Sequence, residues 1–181
     1  FGLAPLRPDG EVEYIPPKEK YHWLWGDQRW LVAENTAALP RAFLVSSGVV
    51  ARQDQDVLAW MADGAFDPRR LVILERPDAP DSPWPGWQLL QDVPPGEAHI
   101  ERYTSEEVVI RTRSQHDGFL VLLDPYYPGW TATVDGLATE IYCADYLFRS
   151  VFVPAGEHVV RFRYAPVPFR VGAAAGLATA A

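Results

Sequence analysis

The sequence predicts a mainly β fold: an antiparallel β-sandwich, jelly-roll or immunoglobulin-like, behind a smaller α+β lobe. Three observations lead there. Short apolar or alternating segments recur every 8–12 residues, the spacing of sandwich strands. Turn signals separate them, most clearly Asp135-Gly136 and Pro154-Ala155-Gly156. The composition, with 17 Pro, 13 Gly and 13% aromatic residues, favours turns and pleated surfaces over long helices.

The elements follow in order. Residues 1–26 carry Pro5, Pro8, Pro16 and Pro17 and no period, so they read as an irregular wrapping segment. Gln28–Glu34 is a predicted strand, and Ala42–Ala51 a second, with Gly48 as a bulge. Gln53–Ala62 places acidic residues before Val57, Leu58, Trp60 and Met61 and is followed by Gly64, which predicts a short helix. Leu71–Glu75 is a predicted buried strand, and the Pro-rich Pro77–Pro95 a surface loop or linker. Ala98–Thr104 and Glu107–Arg113 alternate and pair around Ser105-Glu106. Gly118–Leu123 is continuously apolar and therefore central. Trp130–Val134 turns at Asp135-Gly136, a type I′ signal, and pairs with Thr139–Cys143. Leu147–Val153 and Glu157–Tyr164 form a second predicted hairpin about Pro154–Gly156. The organisation expected is a lobe over residues 1–96, a sandwich over 97–166, and a C-terminal segment over 167–181.

Net charge −8 with no basic run argues against nucleic acid as a partner, because phosphate binding needs clustered Lys and Arg. The single cysteine, Cys143, allows no internal disulfide and reads as a small buried hydrophobe. No signal peptide is present, and Phe1 is not an initiator, so the chain is expected to be a piece of a longer protein. Val171–Ala181 is apolar and uncharged; a frayed tail, a terminal helix and the first half of a membrane span all fit it. Gly172 and Gly176 make a GxxxG, a weak pointer to the span.

Catalytic chemistry is hard to assemble. Asp54-Gln55-Asp56 matches the Asp-x-Asp of metal-dependent glycosyltransferases, but acidic residues at a helix start serve the cap and dipole. His22, His99, His116 and His158 share no ligand spacing, so no metal or other cofactor is expected. No nucleophile elbow and no phosphate loop exist, so no catalytic residue is assigned. Asp124-Pro-Tyr-Tyr-Pro-Gly-Trp130 sets aromatics beside a carboxylate, as saccharide sites do; Asp124, Tyr126, Tyr127 and Trp130 are therefore the candidate glycan contacts. The competing reading is a Pro- and Gly-shaped turn with Trp130 capping the core. Trp84 and Trp87 are a second aromatic candidate, set against docking of their own loop. Arg149, Arg161 and Arg163, with Asp145 and Glu157, read as a solvated cross-strand charge ladder; an anion site for lipid phosphate is the alternative.

Four blocks carry a family resemblance: Glu34–Val45, Phe66–Glu75, Tyr126–Trp130 with Val134–Gly136, and Ala144–Arg149 leading to Pro154–His158 and Phe162–Tyr164. Over residues 30–170 the chain resembles the C-terminal extracytoplasmic part of YfhO-type bacterial membrane proteins. That family is multi-pass and similar to C-type glycosyltransferases, which use lipid-linked sugars to modify cell-envelope polymers. The resemblance implies a domain outside the cytoplasmic membrane, anchored by its own transmembrane region, with 167–181 as the start of a helix. The family's catalytic carboxylates lie in loops of the multi-pass region, so none is carried over. What it implies is a non-catalytic domain with cell-envelope glycan as a partner; a structural or interaction domain of a membrane protein of other activity, or a free-standing carbohydrate-binding module, are the alternatives.

Overall fold

The computed structural model describes residues 21–26, 31–51, 53–62, 66–75, 93–94 and 96–166. The expected Pro77–Pro95 loop with Trp84 and Trp87, apart from residues 93 and 94, and the expected span at 167–181 lie outside them. Among the described residues no helix is long and apolar enough to cross a membrane. The chain divides into two compact units, Phe1–Leu39 and Pro40–Ala181.

In the first unit β1 (Tyr21–Gly26) pairs antiparallel with β2 (Leu31–Asn35). β1 falls inside the stretch expected to be irregular. The four prolines of that stretch all precede Tyr21, and the aromatic run Tyr-His-Trp-Leu-Trp has strong strand propensity.

The second unit is mainly β and sandwich-like. Its strands are β3 (Ala42–Val45), β4 (Ser47–Ala51), β5 (Leu71–Glu75), β6 (Glu97–Tyr103), β7 (Glu107–Ser114), β8 (Gly118–Pro125), β9 (Trp130–Val134), β10 (Leu137–Thr139), β11 (Tyr142–Ala144), β12 (Phe148–Val153) and β13 (Gly156–Tyr164), with α1 at Asp54–Ala62. One sheet has the order β10-β9-β13-β7-β6, the other β3-β8-β12-β11-β5-β4. All described pairings are antiparallel except β4 with β5, the two strands that α1 joins as a crossover. Strands of both sheets bury side chains in one core: Leu44, Leu120, Leu122, Val151 and Val153 from one, Val108, Ile110, Ala132, Val160 and Phe162 from the other.

The six-stranded sheet also curls. β3 and β4 are its two edges, yet only Ser46 separates them, so their adjoining ends lie within about 7 Å. Its concave side is filled by Val45, Val72, Leu74, Phe119, Val121, Tyr142 and Ala144. Gly48 permits the closure. A Cβ there would stand 2.8 Å from the Phe119 ring, and β4 runs in register with β5, so Gly48 marks a close approach and not a bulge. Each fully buried large side chain of β8 contributes roughly 1.5–3 kcal/mol, and β8 lies between β3 and β12 as its apolar run predicts.

The Asp135-Gly136 turn has positive φ at both residues, 52° and 83°, as a type I′ turn requires. Three local expectations fail for one reason. Ala42–Ala51 is two strands on opposite edges, Thr139–Cys143 divides between β10 and β11 in different sheets, and Pro154–Gly156 joins β12 to β13 across the sandwich. A period of 2 identifies a strand but does not name the sheet it enters. Cys143 is half-buried on β11, more open than expected.

Candidate functional site

Alternation along the strands sets the site. On β8, Asp124 shares the face of Leu120 and Leu122 and ends the inter-sheet core. On β12, Arg149 shares the face of Val151 and Val153. The register between β8 and β12 shifts between Phe148 and Arg149, where two residues, Leu123 and Asp124, are passed over. Such an irregularity re-aims side chains at a strand end. On β6 a second irregularity between Ile100 and Arg102 moves Tyr103, not Arg102, opposite the core residue Val108. Arg41 precedes β3, and Trp130 and Tyr164 pair across β9 and β13.

These groups meet. Arg149 Nη2 donates to Asp124 Oδ2 at 2.9 Å, and the two side chains are only 4% and 7% exposed. Arg41 Nε donates to Asp124 Oδ1 at 3.1 Å. The Tyr103 hydroxyl lies 3.1 and 3.0 Å from the two carboxylate oxygens. The Arg149 guanidinium lies 3.9 Å from the centre of the Trp130 ring, and Arg41 stands 4.5 Å from that of Tyr103. Trp130 also packs on Tyr164, ring centres 5.4 Å apart. Arg149 Nε and Nη1 are buried with no hydrogen-bond partner among the described residues.

Electrostatics follow from burial. Desolvation pulls the Arg149 guanidinium below its ordinary range, and the Asp124 carboxylate offsets part of that. Hydrogen bonding and charge from Asp124 raise Arg41, while burial raises the Tyr103 hydroxyl.

Outside this cluster opens a groove of about 450 Å³. Its floor is Asp124, Arg149 and Trp130; its walls include Arg41, Tyr103, Tyr127 and Tyr164. Asp124, Tyr127 and Trp130 of the candidate glycan contacts thus line one groove, and Tyr126 lies beside it at the surface. Tyr127 is 62% exposed. Asp124 is buried, and Trp130 is half-buried against the core.

Arg149 does not stand in a solvated ladder, because its side chain is on the core face; Asp145, expected beside it there, is buried too. Arg161 does lie at the surface, paired with Glu107 at 2.8 Å. Sequence reading missed Arg41, Tyr103 and the inward role of Arg149. The phase of Arg149 with Val151 and Val153 was a usable signal for the last. Nothing local linked residues 41, 103 and 149 to 124. Asp56, of the Asp-x-Asp, is exposed on α1.

Fold and site together define a mainly β, sandwich-like domain with an aromatic and cationic groove at one end. The family model described as bacterial membrane protein YfhO matches residues 88–175, which supports a YfhO-type protein. The Tyr126–Gly136 and Ala144–Tyr164 blocks lie inside that range, and the Glu34–Val45 and Phe66–Glu75 blocks lie before it. No curated protein and no solved structure matches the chain.

Proposed function

We propose that this is the non-catalytic, extracytoplasmic domain of a YfhO-type membrane protein that uses lipid-linked sugars at the bacterial cell envelope, and that its groove holds the acceptor glycan. The observation that carries the glycan reading is the groove: an exposed Tyr127 ring and Trp130 line it above the buried Asp124–Arg149 pair, to which the exposed Tyr103 is hydrogen-bonded. Flat aromatics presented on a rigid scaffold suit saccharide rings, because little entropy is lost on binding. The membrane setting rests on the family. The side of the membrane rests on the family resemblance.

A glycan array with the 181-residue chain tests the binding. Tyr127→Ala should remove binding and leave the melting temperature nearly unchanged, because that ring is mostly in solvent. A blank array, or binding indifferent to Tyr127→Ala, refutes the glycan role. A reporter fused after Tyr164 in the full-length protein tests the topology; activity only in the cytoplasmic orientation refutes the extracytoplasmic placement.

The structural reading is also favoured by a specific observation: both carboxylate oxygens of Asp124 accept hydrogen bonds from within the protein. Loss of stability at Tyr127→Ala together with a blank array would support that reading.

A further inference from the structure

We infer that the ligand of this groove carries a negative charge, a carboxylate or phosphate on a saccharide, and that Arg41 binds it. This rests on the glycan reading above and adds its charge class.

The first ground is the fate of Asp124. A carboxylate in a neutral-sugar site accepts ligand hydroxyls. Here Oδ1 takes Arg41, Oδ2 takes Arg149, and the single Tyr103 hydroxyl proton is shared between the two oxygens. The side chain is 7% exposed. Three donors take most of its accepting capacity inward and burial shields the remainder, so it offers a ligand hydroxyl little.

The second ground is charge. The groove's charged lining is Arg41, Arg149 and Asp124, two cations to one anion. This local excess of +1 stands in a chain of net charge −8. Arg149 is sealed behind Trp130, and two of its nitrogens are buried with no hydrogen-bond partner among the described residues. Asp124 balances one of the two cations, so an excess of +1 remains at the groove, beside a low-dielectric floor that screens it less than water does.

The third ground is access. Arg41 contacts Asp124 through Nε alone, and its side chain is 57% exposed. The terminal amino groups take no part in that bond. Stacking on Tyr103 holds the guanidinium plane, so those donors are presented in a fixed fork to an incoming carboxylate or phosphate. Tyr127 then meets the sugar ring attached to the charge.

Calorimetric titration of the 181-residue chain with four probes tests the inference: a maltooligosaccharide, an oligogalacturonate of equal length, glucose 1-phosphate and inorganic phosphate. The charged saccharides should bind more tightly than the neutral one, and more weakly as salt rises from about 50 to 500 mM. Arg41→Gln should lower charged-saccharide affinity about tenfold, the value of one charge-assisted hydrogen bond. Arg111→Gln, which removes a surface pair with Glu101 away from the groove, should leave it unchanged. Preference for galacturonate identifies a carboxylate as the charge, and preference for glucose 1-phosphate a phosphate; either supports the inference when Arg41→Gln abolishes it. Equal affinity for neutral and charged saccharides, indifferent to Arg41→Gln, overturns the charge class and leaves the glycan reading standing. Inorganic phosphate binding as tightly as glucose 1-phosphate overturns the saccharide part. No binding of any probe overturns both readings.

Discussion

Breaking the Asp124–Arg149 pair from either side should have unequal consequences. In Asp124→Leu the Arg149 guanidinium keeps its burial and loses its only described hydrogen bond, since Nε and Nη1 already have none. An uncompensated buried charge costs about 3–5 kcal/mol. In Arg149→Met, Asp124 keeps Arg41 and Tyr103, and solvent is close by through the groove. That loss should stay near 1–3 kcal/mol, the range of a hydrogen bond to a charged group. The double variant Asp124→Leu/Arg149→Met removes both charges and should fall within about 2 kcal/mol of the parent chain, because apolar replacement of a whole buried pair is often near neutral. Urea unfolding followed by tryptophan fluorescence measures all three. With m near 2 kcal/mol per M, Asp124→Leu should lower the midpoint by roughly 2 M. Equal losses in the two single variants, or an additive double variant, would refute the claim that Asp124 exists to neutralise Arg149.

Three further outcomes are expected. Burial lifts the Asp145 carboxyl from 3.8 to about 6, and nearby Glu75 adds to this. A raised carboxyl means the folded state holds the proton the unfolded state releases, so stability falls as pH rises from 3.8 to about 6, by at most about 3 kcal/mol. Asp145→Asn keeps an oxygen for the Ile73 N–H and suits the positive φ of 48°, so it should flatten that window and stabilise the fold at pH 7 in thermal melts. His158 faces two acceptors, Asp135 Oδ2 at 2.6 Å and the Ala155 carbonyl at 3.2 Å, which only the doubly protonated ring satisfies. Its pKa is raised from 6.5, first by the Asp135 hydrogen bond, so its stabilisation is complete below pH 6.5 and fades as pH climbs through the raised value; His158→Gln should remove that slope from melts at several pH values. Gly48→Ala should cost about 1–3 kcal/mol in urea unfolding, because the added methyl meets the fully buried Phe119 ring at 2.8 Å.

The sequence alone was enough for what depends on neighbours along the chain. Alternation marked β6 and β7, turn signals bounded β9, β12 and β13, and the continuous apolar run placed β8 in the interior. Positive φ at Asp135 and Gly136 was readable because Gly there is the cheapest way to match strand twist. The loop after Asp124 was legible as a cluster of aromatics, since those residues adjoin in sequence. Tertiary structure decided the rest. A strand's pattern says which side chains share a face, but strand order depends on pairing free energies between distant segments. Those sent β3 and β4 to opposite edges of one curled sheet and sent β12 and β13 to different sheets. The same pairing brought Arg41, Tyr103 and Arg149 to Asp124 across separations of 83, 21 and 25 residues. Only there could the carboxylate be seen to face the protein instead of solvent: burying Arg149 at the end of the core requires an opposite charge beside it, and Asp124 supplies that charge.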